Sequence, residues 1–322
     1  MARVKWGVLG CANFARKRTI PAMLDSPSVD LVGVASRSLE KAEALRSEFN
    51  LLRAYGTYGE MLADPQIQAV YIPLPNSLHA EWMIKAAEAG KHSLCEKPFA
   101  SNAVEARQVA EAAKRSGVFI MEAFMWRFHS QHLRARRAIE RGEIGSPRLV
   151  RGAFSFLVPR KPNVRLVPEL AGGCVMDVGC YPISAARFYF GEEPSIAYAR
   201  GSVDPEYRVS MRMAGVLDFP QGQALIDCSF SLPYRTDLEI VGESGMITIP
   251  KPWLPDPETT LIINGITEKL PVENQYVAEF EHLSHCISDG TAPLYGPEDA
   301  IRQMRVIDAV HRSMESGHPE PI

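Results

Sequence analysis

Apolar and polar positions follow two different rhythms along this chain. In the first part, short apolar runs take turns with stretches of helical spacing: VKWGVLG, a helix from about Ala15 to Leu24, DLVGVAS, LEKAEALRSEF, AVYIPLP, HAEWMIKAAEAG, HSLCEKP, NAVEARQVAEAAKRSG and VFIMEAF. Apolar runs that alternate with helices are the pattern of βαβ units, in which a parallel sheet is covered on both faces. The expected N-terminal fold is a doubly wound parallel sheet of the Rossmann type, with its ligand crevice at the carboxyl ends of the strands.

After about Phe124 the rhythm changes. A helix, HLRARRAIERGEIG, is followed by the strand-like runs PRLVRGAFSFLV, VSMRMAGVLDFPQGQALIDCSFSL, DLEIVGESGMITIP and TTLIING, parted by turns such as Pro220-Gln221-Gly222 and Glu243-Ser244-Gly245. These predict an α+β domain with an open, mostly antiparallel sheet, closed by helices around Val277 to Ser288 and Pro297 to Ser316. The change of period alone sets the expected boundary, with one domain over 1–123 and a second over 124–322.

Composition narrows the function classes. A chain of 322 residues has room for two domains, and 46% hydrophobic with 23% charged residues is ordinary for a globular protein. The 35 basic and 38 acidic residues give a net charge of −3 and form no basic block, which argues against nucleic acid or a membrane surface as partner and for a small ligand. Cys11, Cys95, Cys174, Cys180, Cys228 and Cys286 are scattered, so neither a disulfide framework nor a zinc site is expected. The first apolar segment is too short for a signal peptide or a spanning helix, and a cytoplasmic protein is the expectation.

Candidate chemistry begins at the end of the first strand. GVLGCANFA places Gly10, Ala12 and Ala15 in the spacing G-x-A-x-x-A, with Asn13 and Phe14 inside the turn. In a dinucleotide fingerprint these small residues allow a tight turn, close approach to a pyrophosphate and close helix packing. Alone, the same turn is equally a packing device. The second strand, LVGVA, ends in Ser36-Arg37-Ser38 without the carboxylate that usually holds an NAD ribose. Arg37 and the two serines suit a 2′-phosphate, so NADP is expected, with NAD possible. In the plainer reading Ser38 is a helix cap and Arg37 a solvated turn residue.

The run SLCEKPF ends in two charges, and such charges at the tip of a buried strand cost free energy unless solvent or a site receives them. Together with the glycine turn, PLPNSLH and GGCVMDVGCY, the EKP at Glu96-Lys97-Pro98 resembles the glucose-fructose oxidoreductase / inositol dehydrogenase / MocA family of nicotinamide-dependent oxidoreductases, over nearly the whole chain. The resemblance implies that Lys97 lies beside the substrate hydroxyl and the nicotinamide, and that the bond before Pro98 is often cis. It also implies that Glu96 and the segment holding Pro73, Leu74, Pro75, Asn76 and His79 run along the cofactor. The first domain would then bind the nucleotide, and the second would bind substrate and form oligomers, a dimer or a dimer of dimers.

Many relatives carry Asp and, four residues later, His as the proton-transfer pair, whereas this chain has Asp177 and Tyr181. With MEAFMWRFH at Met121 to His129, that variant resembles the branch containing dimeric dihydrodiol dehydrogenase and NADP-dependent D-xylose 1-dehydrogenase, in which tyrosine is the proposed acid/base and lysine its electrostatic partner. The physics fits such a pair: an ammonium about 4 Å from a phenol, at an effective dielectric of about 20, favours the phenolate by about 4 kcal/mol, or roughly 3 pH units. Asp177 is a hydrogen-bond partner there or a cap for the helix near Gly179. Pro182 suits that helix's first turn. Trp126, Arg127, Phe154 and Phe156 line a substrate pocket or fill a core. His129 and His132 share a helix face without a third ligand, and no metal is assigned.

The resemblance thus implies an NADP-dependent dehydrogenase acting on a CH–OH group of a small sugar or diol. An aldose oxidised at C1 to its lactone and a trans-dihydrodiol are the leading substrates. The alternatives are a keto-sugar reductase of the same fold, or an NADP-sensing regulatory or scaffold protein without turnover.

Overall fold

The computed structural model describes residues 3–160, 163–255 and 259–322. The chain folds as two compact units, Met1–Met125 with Asn274–Ile301 and Trp126–Glu273 with Arg302–Ile322. This differs from the expected boundary in one respect. The segment 274–301, read from sequence as part of the second domain, belongs to the first.

In the first unit, β1 (Val4–Leu9), β2 (Val29–Ala35), β3 (Arg53–Tyr55), β4 (Ala69–Ile72), β5 (His92–Glu96) and β6 (Ile120–Ala123) form one sheet in the order β3-β2-β1-β4-β5-β6. Every pairing in it is parallel. Reversal of the order beside β1 makes the topological switch point at which such sheets bind ligands. The strands β4 and β6 are buried at every position, which explains their unbroken apolar runs. The helices α1 (Ile20–Asp25), α2 (Leu39–Phe49), α3 (Tyr58–Ala63), α4 (His79–Glu88) and α5 (Ala103–Ser116) connect the strands. α5 shows why these stretches become helices: the Asn102 side chain accepts from Val104 N and Glu105 N, buried alanines recur along one face, and Gly117 ends it at φ 65°.

The second unit contains α6 (Ser130–Glu140), β7 (Pro147–Ser155), α7 (Cys180–Phe190), β8 (Ile196–Val203), β9 (Ser210–Phe219), β10 (Gly222–Ser229), β11 (Arg235–Gly242), β12 (Met246–Ile249), β13 (Thr259–Ile263) and β14 (Ile266–Leu270). The sheet runs β14-β13-β12-β11-β7-β10-β9-β8, with β15 (Glu320–Pro321) on the β8 edge. It is antiparallel except between β7 and β10. The helix α7 covers one face. On the other face the register lines up Tyr198, Val216, Leu225, Arg151, Glu239 and Thr248 in one row across six strands. Among the described residues no helix is long and apolar enough to cross a membrane.

Helix α8 (Gln275–Asp289) explains why the late segment returns to the first unit. Its Phe280 is fully buried and meets two rings edge to face, centroid to centroid 5.4 Å from Trp6 and 5.3 Å from Tyr71, while Ser284 Oγ accepts the Trp6 indole N–H at 3.1 Å. Those large rings on β1 and β4 need a cover that the first 125 residues do not supply. Phe280→Ala is therefore expected to cost about 3–5 kcal/mol in urea unfolding. Truncating the exposed Leu294 of the same segment to alanine is expected to cost under about 0.5 kcal/mol. Equal small losses at both positions would contradict the packing described.

Candidate functional site

At the end of β1 the chain turns at Gly10, whose φ of 129° excludes an ordinary side chain. A Cβ there would also stand 3.0 Å from Leu74 Cδ2. The Gly10 N–H donates to Ala35 O at 2.9 Å, tying the turn to the end of β2. Residues 13–25 are then helical, starting with the exposed Asn13 and Phe14 and passing through a π turn at Ala15–Thr19. The Ala12 carbonyl accepts Arg16 N at 3.0 Å, and the small Ala15 is fully buried. A side-chain-free turn leading into a helix N-terminus is a cradle for a pyrophosphate, because unpaired backbone N–H groups point out of it. The residues present fit a dinucleotide.

Around the end of β2 the groups suit an anion. Arg37 is exposed and stands beside the Tyr58 phenol, where its charge partly offsets the upward push of burial on that group. Ser38 caps α2, its Oγ accepting from Lys41 N, and its own N–H donates to Ser36 Oγ at 3.3 Å. Both plainer readings of this turn are thus realised without removing the cation from the site. Lys41, which sequence reading passed over, adds a second cation: it acts with Ser36 against the burial that raises the Cys11 thiol. Its only signal was its place in the first turn of the helix after the Ser-Arg-Ser run.

Pro73 is buried at the end of β4, and Leu74, Pro75 and Asn76 are partly exposed beyond it. His79 is another matter. It is fully buried, with Nδ1 2.8 Å from Pro98 O and Nε2 2.8 Å from Leu74 O. Both ring nitrogens are taken by main-chain carbonyls, so this side chain braces one loop against the next and is not exposed to a ligand, contrary to the expectation that it lies along a cofactor.

The Lys97–Pro98 bond is cis. Beneath this turn lie three carboxylates: Glu96 accepts the Tyr71 hydroxyl at 2.6 Å, Glu122 accepts Phe99 N at 2.8 Å, and Glu279 arrives from α8. Burial first, and then the charges of Glu96 and Glu122, push the Glu279 carboxyl well above its ordinary range. Glu96 and Lys97 therefore differ in role: the carboxylate is part of a buried network, and the ammonium is carried by the turn that network supports.

In the second unit, Tyr181 is 5% exposed in α7, its ring 5.3 Å from Phe154 and 5.5 Å from Trp253. Phe156 lies two residues along from Phe154, ring to ring at 6.2 Å. Asp177 does not cap α7. It lies inside a π turn, Val175–Gly179, that leads into the helix, and its carboxylate accepts Arg165 Nε at 2.6 Å. Such π turns inside helices recur at functional sites. Arg165 was missed from sequence because it stands in a loop with no periodicity, and its partner gave no local sign of it. Trp126 and Arg127 belong to the core, as the plainer reading had them. Trp126 is fully enclosed by His132, Phe188 and Trp253, and Arg127 is 3% exposed with Nη2 donating to Ser184 Oγ at 2.7 Å. His132 has Nδ1 against the Tyr189 hydroxyl and Nε2 against Pro252 O, and burial holds it down at about 3.

Residues 4–124 match the model of an oxidoreductase family with an NAD-binding Rossmann fold, and residues 132–248 match the GFO/IDH/MocA C-terminal domain. The chain belongs to the Gfo/Idh/MocA family of oxidoreductases. It is 37% identical to a D-xylose 1-dehydrogenase (NADP(+)) of Haloferax volcanii over 97% of this chain and 98% of the relative. It is 28% identical to a trans-1,2-dihydrobenzene-1,2-diol dehydrogenase of Xenopus tropicalis over 98% and 99%. The crystal structure of a 3-ketoreductase from Actinomadura kijaniata with NADP and TDP-benzene superposes with a TM-score of 0.91 at 27% identity, covering 97% of this chain and 98% of that one.

The buried carboxylates of this Gfo/Idh/MocA oxidoreductase give a pH signature with a definite sign. Burial and the neighbouring carboxylates favour the neutral form of Glu279 in the folded protein, whereas the unfolded chain releases that proton above about 4.3. Folding free energy therefore weakens as pH rises from there until the buried group itself ionises. Glu279→Gln keeps the neutral shape and removes the titration. In urea unfolding between about pH 5 and about pH 8, wild type is expected to lose stability relative to this variant. A difference between the two that does not change with pH would show that Glu279 is not held protonated.

Proposed function

We propose that this protein is an NADP-dependent dehydrogenase of a neutral sugar or diol, with Tyr181 as the proton-transfer group and Lys97 as the cation that favours its phenolate. One observation carries the reading. The Actinomadura ketoreductase has been solved with one lysine and one tyrosine replaced in turn, and those two positions are separated along that chain by the same number of residues as Lys97 and Tyr181 here. The named activities of the relatives, on D-xylose with NADP and on a trans-dihydrodiol, supply the substrate class.

The bound dinucleotide supplies a hydride acceptor. The Gly10 turn and the helix after it hold its pyrophosphate, and Arg37, Lys41, Ser36 and Ser38 receive the 2′-phosphate. Tyr181 takes the hydroxyl proton as hydride leaves the same carbon, and an aldose so oxidised at C1 becomes its lactone. The partly exposed ring of Phe156, beside the Phe154 that packs on Tyr181, offers an apolar face to a sugar ring or a cyclic diol. The same groups run the reverse reaction on a keto-sugar, the direction in which the Actinomadura 3-reductase works. The open face of the second unit's sheet carries the partly exposed Ile196, Tyr198, Leu225 and Met246, and a second copy of the chain is its proposed cover. A cytoplasmic location accompanies this reading.

The test is reduced-nicotinamide absorbance with NADP and D-xylose, D-glucose or trans-dihydrobenzenediol. Lys97→Met and Tyr181→Phe are each expected to lower kcat about 10²-fold or more, with NADP binding retained. Wild-type turnover by Tyr181→Phe would remove the proposed acid/base. Arg37→Ala is expected to raise KM for NADP about tenfold while leaving that for NAD nearly unchanged, and an unaltered ratio would count against the cofactor preference. For the sheet face, Leu225→Glu is expected to convert the dimer to monomer in sedimentation velocity. A wild-type protein already monomeric there would end that part of the reading.

A further inference from the structure

Arg165 has no place in the roles above, yet the fold fixes it with care. It lies in the short turn Val164–Leu166, and the chain doubles back so that Gly173 N donates to Arg165 O at 2.8 Å and Gly172 N to Val167 O at 3.1 Å. A Cβ on Gly172 would stand 2.5 Å from the Arg165 carbonyl oxygen, so the first glycine of GGCVMDVGCY is demanded by this close approach, and the second by its φ of 111°. Ala171 at φ 53° completes the reversal. The guanidinium that results is held between the carboxylate of Asp177, 2.6 Å from Nε, and the ring of Phe156 at 5.9 Å.

Asp177 precedes Tyr181 by four residues, a spacing that puts two side chains on one helical face. From the other side the rings run Phe156, Phe154, Tyr181 in contact. Arg165, Asp177 and Tyr181 therefore share one small environment. Arg165 is held charged mainly by Asp177, and a phenolate at Tyr181 adds to that attraction. A lone carboxylate one turn from the phenol would oppose the phenolate the chemistry needs.

We propose that Arg165 is a positioning residue that cancels the charge of Asp177, so that Tyr181 ionises beside a neutral ion pair instead of beside a bare carboxylate. This rests on the reading of Tyr181 as the proton-transfer group. The other charged groups on elements packed against α7 are already committed. Arg127 donates to Ser184 and Arg187 pairs with Glu193. On β7, Arg148 and Arg151 pair with Glu243 and Glu239, and on β10 Asp227 pairs with Arg235. The Cys228 thiol on β10 is kept protonated by burial.

The test reads the phenol directly and needs no turnover. Each protein is titrated by ultraviolet difference spectroscopy against the same protein carrying Tyr181→Phe, which isolates one phenolate. Arg165→Met takes this guanidinium away from Asp177 and is expected to move the Tyr181 titration up by about one pH unit. Asp177→Asn leaves the guanidinium unpaired and is expected to move it down by about as much, and the double variant returns it near wild type. A purely structural role would not produce opposite signs. Shifts in the same direction, or no shift in Asp177→Asn, overturn the proposal even if Arg165→Met fails to fold. Full turnover by Tyr181→Phe would instead overturn the acid/base reading and leave the titration result standing.

Discussion

Gathering three carboxylates under one turn, two of them buried, favours keeping a proton among them, and the first unit is organised around that condition. Glu96 is stabilised by the Tyr71 hydroxyl, Glu122 by the amide of Phe99, and Glu279 by remaining neutral. Each comes from a different element: β5, β6 and α8. The turn bearing Lys97 is consequently fastened to the sheet from below and, through the carbonyl of Pro98, to His79 from the side. Burial that would expel a single charge here fixes the backbone of a loop, because Tyr71, Glu122 and His79 each bind the turn or its carboxylate from a separate element.

The condition also accounts for the path of the chain. A doubly wound sheet of six strands normally completes its own cover, yet β1 and β4 carry Trp6 and Tyr71, rings too large for the crossover helices alone. Helix α8 brings Phe280 against those rings and, one residue earlier, Glu279 into the carboxylate group. One helix thus supplies both an apolar lid and a neutral acid. Separating those contributions would leave either a cavity or an unpaired charge, and each is costly in a packed interior.

Much of this was legible before any coordinates. The strands of the parallel sheet announced themselves as apolar runs, and the Gly10 turn and the Lys97-Pro98 pair marked the crescent of ligand-facing loops. What escaped had physical reasons. The edge strand β3 is three residues long, too short for periodicity to register. In β8 the alternation is broken at Arg200 and Gly201, two successive exposed positions. The return of α8 to the first unit depends on matching two distant surfaces, which no local pattern records. Arg165 and Lys41 are ordinary cations until the fold gives them neighbours, and Trp126, Arg127 and His79 advertise chemistry while serving as filling and bracing.

Charge balance separates the two ends of the proposed chemistry. Around the second strand, the exposed Arg37 and Lys41 stand on either side of Glu40 in sequence, two cations to one carboxylate, a balance that still suits a phosphate group. Beside Tyr181, Arg165 is already matched by Asp177, and the rings of Phe154 and Trp253 pack against the phenol. An anionic sugar phosphate would gain little from a guanidinium whose charge is spent on a carboxylate at 2.6 Å. A neutral polyol loses nothing there, since rings and hydrogen bonds suffice to hold it. On this argument the positive charge at the end of β2 is a better match for a phosphate than the surroundings of Tyr181.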